Sequence, residues 1–131
     1  MNVNVRATKT LQDGEVVFSG DSNSLTELGR WLEGGGDGRV IVPALPDGIY
    51  EVNLKEVRFD VDFALPYRKI NLSILDGVLI FEVGSVVAKT LGKSLQDFFS
   101  EPVERLSHFH LDCFDDFYMA ESSVTLTFAY L

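Results

Sequence analysis

One cysteine, Cys113, is too few for an internal disulfide, so the fold must be held by packing. Cysteine this sparse makes a cytoplasmic location the default expectation. No run of about 18 apolar residues occurs, which excludes a membrane-spanning helix. The opening MNVNVRATKT alternates in polarity and lacks the apolar stretch of a signal peptide. Positive charge is also scarce. Eleven Lys and Arg stand against 20 Asp and Glu, a net charge of −9. Phosphate backbones and anionic membranes call for a cationic surface, so neither is an expected partner. An acidic surface suits a basic protein partner and steers its approach. It also serves ordinary solubility, which needs no partner.

What is present is core material. The chain has 131 residues, 46% hydrophobic and 11% aromatic, which suits one domain spanning 1–131. Residues 13–32, DGEVVFSGDSNSLTELGRWL, are echoed without a gap 63 positions later by DGVLIFEVGSVVAKTLGKSL. Asp13-Gly14 meets Asp76-Gly77, Phe18 meets Phe81, Ser22 meets Ser85, and Leu28-Gly29 meets Leu91-Gly92. A turn, a strand, a helix start and a helix face recur in order. Two similar units, 13–63 and 76–131, would share one core. Chance likeness between two strand–helix units is the alternative.

Local patterns fill in the elements. Val3, Val5 and Ala7 alternate as a short peripheral strand. Asp21, Ser22 and Ser24 crowd a helix start, with Ser24 and Glu27 spaced as a capping box. Leu25, Leu28, Trp31 and Leu32 share a helical face, and the glycines of 34–38 form a flexible connection after it. Arg39 to Val42 reads as a strand stopped by Pro43 and Pro46, with a turn at Asp47-Gly48. In Tyr50 to Phe63 the apolar set changes parity at Lys55-Glu56, calling for a β-bulge or a break into two strands. The Asp76-Gly77 pair predicts a two-residue hairpin turn. Val78 to Val83 reads as a strand covered on both faces. Ser85 caps a second helix, and strands at Ser107–Phe114 and Ser123–Leu131 complete the chain. The expected fold is α+β: an antiparallel-rich sheet with two helices on one face, built from two β-α-β-β units.

Catalytic sets are missing. There is no Walker loop, dinucleotide fingerprint or Ser-His-Asp arrangement, so neither enzyme activity nor a cofactor is expected. His108, His110 and Asp112 share one face of a strand, the spacing of metal ligands. They are the only histidines, however, and a polar strand face explains them without a metal. Cys113 falls on the opposite face and reads as buried and structural. Two acidic clusters remain, Asp60 and Asp62 beside Glu56, and Asp112, Asp115 and Asp116 followed by Glu121. Phe117 and Tyr118 interleave with the second cluster. These residues are candidates for contacting a partner, with Asp and Glu docking Lys and Arg and the aromatics as anchors. Solvated faces and core aromatics are the alternative.

The stretch from about Val78 onward carries an apolar strand, the helix segment LGKSL, and SHFHLDCFDDFYMAESSVTLTF. It resembles the small immunity proteins of bacterial polymorphic toxin systems, closest to immunity protein family thirty-two. The matching positions are His108, His110, Leu111, Asp112, Ser122, Ser123, Leu126 and Phe128, and the likeness covers under half of the chain. The N-terminal counterpart, RVIVPAL, lacks the histidines. The resemblance implies a non-enzymatic protein that binds and neutralises a cognate toxin domain, for which a basic nuclease would be a fitting target. An acidic secretion chaperone or other interaction module is the alternative. The uncharged final strand would also allow pairing into a homodimer.

Overall fold

The computed structural model describes residues 3–8, 10–41, 51–52, 54–100, 107–112, 115–120 and 124–130. The first half runs β1 (Asn4–Thr8), β2 (Glu15–Gly20), α1 (Ser22–Glu33), β3 (Gly38–Ile41), β4 (Glu51–Val52) and β5 (Glu56–Asp62). The second runs β6 (Asn71–Leu75), β7 (Val78–Gly84), α2 (Ser85–Ser100), β8 (His108–Leu111) and β9 (Thr125–Tyr130). Pro43, Pro46, Asp47-Gly48, Cys113, Phe114, Glu121, Ser122 and Ser123 lie outside the described residues.

The α+β class and the antiparallel bias hold, since five of the seven strand pairings are antiparallel and two parallel. The single expected sheet is instead two. One has the order β4-β1-β2-β9-β8 and the other β3-β5-β7-β6. Each half therefore contributes to both sheets. β1 and β2 pair with β8 and β9 across a parallel seam, Glu15–Gly20 against Thr125–Tyr130. β3 and β5 pair with β6 and β7 across the other, Glu56–Asp62 against Val78–Gly84. β9 thus sits inside its sheet, which removes the argument that it is a free edge for homodimer formation.

The inner faces of both sheets meet at four phenylalanines. Phe18 and Phe128 stack across one seam at 5.2 Å, and Phe59 and Phe81 lie 4.9 Å apart across the other. Phe18 then touches Phe59 and Phe81 at 6.1 and 6.2 Å. Each such ring contributes about 1.5–3 kcal/mol by leaving water. The helices close this core by packing mainly on each other. They cross at Gly29 and Gly92, where a Cβ on Gly92 would lie 2.4 Å from the Gly29 carbonyl oxygen. Gln96 donates to the Glu33 carboxylate at 2.6 Å beside the crossing. Phe18 with Phe81, Gly29 with Gly92, and Glu33 with Gln96 are all counterparts 63 positions apart.

Several local expectations change. The first helix is capped by Asp21, whose carboxylate accepts from the Ser24 N–H at 2.7 Å, so Ser24 lies in the first turn rather than at the cap. Asp21 has Gly84 as its counterpart, and α2 is capped instead by the Pro66 carbonyl, which accepts from Val86 N–H at 2.9 Å. Ser85 is already helical. The parity change at Lys55-Glu56 reflects a break, not a bulge: β4 joins one sheet and β5 the other. β7 buries Leu79, Phe81 and Val83 fully, but Val78, Ile80 and Glu82 on its other face stay partly open. The glycine segment is held, not loose. Gly36 packs on the Trp31 ring, and Asp37 Oδ1 accepts from the Val61 N–H at 3.1 Å. The Asp76-Gly77 turn has positive φ at both residues, 51° and 76°, as a two-residue hairpin turn requires.

Candidate functional site

The two histidines lie on the outer face of β8, because Phe109 and Leu111 take the inner positions. Both are exposed, and their rings stack at 5.1 Å. They line a shallow groove of about 520 Å³ together with Glu15, Val17, Thr125 and Thr127. The Glu15 carboxylate there accepts from the Thr127 hydroxyl at 2.9 Å. Asp112 follows the strand, and its backbone N–H donates to Asp115 Oδ2 at 2.7 Å. Among the described residues no three His, Cys, Asp or Glu side chains converge on a metal position.

The second acidic cluster is a docked turn. Asp115 receives the Asp112 N–H on its side chain, and its carbonyl accepts from Tyr118 and Met119 at 2.9 Å each. Ile70 N–H donates to the Tyr118 carbonyl at 2.7 Å, and Ala120 N–H donates to the Ile70 carbonyl at 3.1 Å. Tyr118 reaches α2 through its hydroxyl, 3.1 Å from Ser94 Oγ. Asp115 and Tyr118 therefore hold the turn in place. Asp116 and Phe117 project from it, with the Asp116 side chain 97% exposed and Phe117 43% exposed.

The first acidic cluster is largely partnered within the chain. Arg58 Nε and Nη2 clamp the Asp60 carboxylate at 3.1–3.2 Å. Asp62 Oδ1 accepts from the Ala64 and Leu65 N–H groups at 2.9 Å each, and Asp62 Oδ2 lies 3.6 Å from Arg68. Arg68 also binds Glu82 at 3.0 Å. Lys69 Nζ stands 4.0 Å from Asp116, so the segment after β5 runs between the two acidic clusters. Charge alone does not separate these residues from a solvated face, since exposed ion pairs contribute little.

Sequence patterning missed what this segment displays. Phe63 continues the parity of Val57, Phe59 and Val61, which places it in the core on paper. The strand ends at Asp62, and Phe63, Leu65 and Tyr67 are 65%, 61% and 68% exposed. The local signal that could have found this is Asp62, whose carboxylate accepts from the amides two and three residues on and turns the chain ahead of Pro66.

No protein-family model, curated protein or solved structure matches this chain.

Proposed function

We propose that this chain is an immunity-type protein that binds a cognate bacterial toxin domain and neutralises it by occupying a functional surface, with no catalysis of its own. The carrying observation is the turn 115–118. It is anchored by its own hydrogen bonds and by Ile70 and Ser94, and it holds Asp116 and Phe117 out to solvent. A carboxylate beside an aromatic ring on a rigid support suits the rim and anchor of a protein interface. The net charge of −9 supports a basic partner, a nuclease being the natural example. The His108, His110 and Asp112 likeness to immunity proteins points the same way. A cytoplasmic site of action accords with this role.

The test is co-expression with the C-terminal domain of the large protein encoded immediately upstream. Rescue of growth together with a stable complex is the expected result. A toxic domain that this chain neither binds nor silences would sink the reading. Within a complex, Asp116→Asn should slow association several-fold at low salt and little at high salt, because steering charges act mainly on the on-rate.

A further inference from the structure

Among the described residues five large apolar side chains are strongly exposed, and three of them fall within five positions: Phe63, Leu65 and Tyr67. Isolated apolar residues at a surface are ordinary; a cluster is not. All three stand on the connection between β5 and β6, and each is more than half exposed.

The segment that carries them is fixed at both ends and in the middle. Asp62 Oδ1 accepts two of its N–H groups. The Leu65 carbonyl accepts from Arg68 N–H at 3.0 Å, and the Arg68 carbonyl accepts from Gly84 N–H at 2.7 Å. Pro66 caps α2 with its carbonyl, and Gly84 permits this because a Cβ there would lie 2.3 Å from that same oxygen. The Arg68 side chain is tied to Asp62 and Glu82. A loop with this many internal anchors cannot turn its apolar side chains inward without breaking them. It presents the residues in a fixed arrangement, which lowers the ordering cost of binding.

Its charge surroundings indicate the partner. Arg68 serves Asp62 and Glu82 while Lys69 faces Asp116, so three carboxylates meet two cations and one negative charge is left over around the loop. Asp116 lies beyond Lys69 and is almost fully open to solvent. The matching surface is an apolar pocket edged by Lys and Arg on a folded domain.

We infer that Phe63, Leu65 and Tyr67 form the apolar anchor by which this chain docks a basic folded protein domain, with Asp116 and Phe117 at its margin. This inference rests on the immunity reading and names the surface that performs it.

The experiment compares the full-length wild-type chain with a Phe63→Ser, Leu65→Ser, Tyr67→Ser variant in binding the upstream-encoded toxin domain. A Leu75→Ser variant, altered at an exposed apolar residue outside the loop, is the control. Circular dichroism and a melt check that all three remain folded. The expected result is a triple variant at least about 100-fold weaker, with Leu75→Ser unchanged. Equal binding by the triple variant and the wild type overturns the loop as anchor while leaving the immunity reading in place. Failure of the wild-type chain to bind removes both. If sedimentation shows that the triple variant loses only self-association and keeps toxin binding, the occupant is a second copy of the chain and the inference is wrong.

Discussion

A methyl group added at Gly92 would lie 2.4 Å from the Gly29 carbonyl oxygen and 2.5 Å from the Glu33 amide nitrogen. Both obstacles are backbone, so no rotamer change relieves them. Alanine is the better helix former by about 1 kcal/mol, but overpacking costs about 1–3 kcal/mol when the helices must separate. Gly92→Ala is therefore expected to destabilise by up to about 2 kcal/mol, read from a shift in the urea midpoint. An unchanged midpoint would mean that the helices slide apart freely. Asp21 gives a pH-dependent case. The Ser24 backbone N–H, then the Ser24 hydroxyl, hold its carboxyl below the ordinary value of 3.8. Its folded value is depressed, so its ionic contribution is complete above 3.8 and is lost as pH falls through the lower folded value. Asp21→Asn keeps an acceptor but no charge. The difference in melting temperature between wild type and Asp21→Asn should be constant well above 3.8 and move in favour of the variant on acidification below it. A flat difference across that range would show that capping does not depend on ionisation.

The loop between β5 and β6 shows how one side chain organises an element. Asp62 accepts from Ala64 and Leu65 and pairs with Arg68, so its loss frees two amides together and leaves Arg68 on Glu82 alone. All of these lie at the surface, away from the phenylalanine core. Asp62→Ala should thus leave global unfolding nearly unchanged while amide exchange at Ala64 and Leu65 accelerates by an order of magnitude or more. Protection that stays at its wild-type level would place the anchor elsewhere, at the Pro66 carbonyl. Elements of this scale were legible in sequence where their cause is local. The Asp76-Gly77 hairpin needs positive φ at two adjacent residues and announces itself. The helix around Leu25, Leu28 and Leu32 follows from its period, as do the His108 and His110 positions on one strand face. Where the cause is distant, pattern failed. Ser85 looks like a cap, yet Pro66 caps α2 from 20 residues upstream. Phe63 is a different case: it keeps the parity of buried residues, yet the turn that Asp62 makes with Ala64 and Leu65 stops the strand one residue earlier, a local signal that parity outweighed. The acidic residues were visible as candidates, but their spacing did not separate Asp62 and Asp115, which hold turns, from Asp116, which projects.

At the scale of the molecule, the echo between 13–32 and 76–95 announced a shared core but not the exchange of strands between halves. Parallel seams join segments far apart in the chain, and hydrophobic periodicity does not encode which strand lies beside which. The exchange has a physical consequence. In isolation the first half has β2 without β9 and β5 without β7, so both seams end in unpaired backbone. Phe18 and Phe59 lose Phe128 and Phe81, and α1 loses the helix against which Gly29 packs. Segments of about 60 residues already bury too little surface to absorb such losses. Residues 1–63 or 64–131 expressed alone should therefore give no cooperatively melting monomer. Mixed or co-expressed, the two pieces should restore near-ultraviolet circular dichroism and a single melt, because each supplies both missing seams of the other. A monomeric half that melts cooperatively on its own would show that each unit closes its own core. The observed pairing of β2 with β9 and of β5 with β7 would then be dispensable for folding, and the contacts at Phe18–Phe81 and Gly29–Gly92 would be packing between independent units.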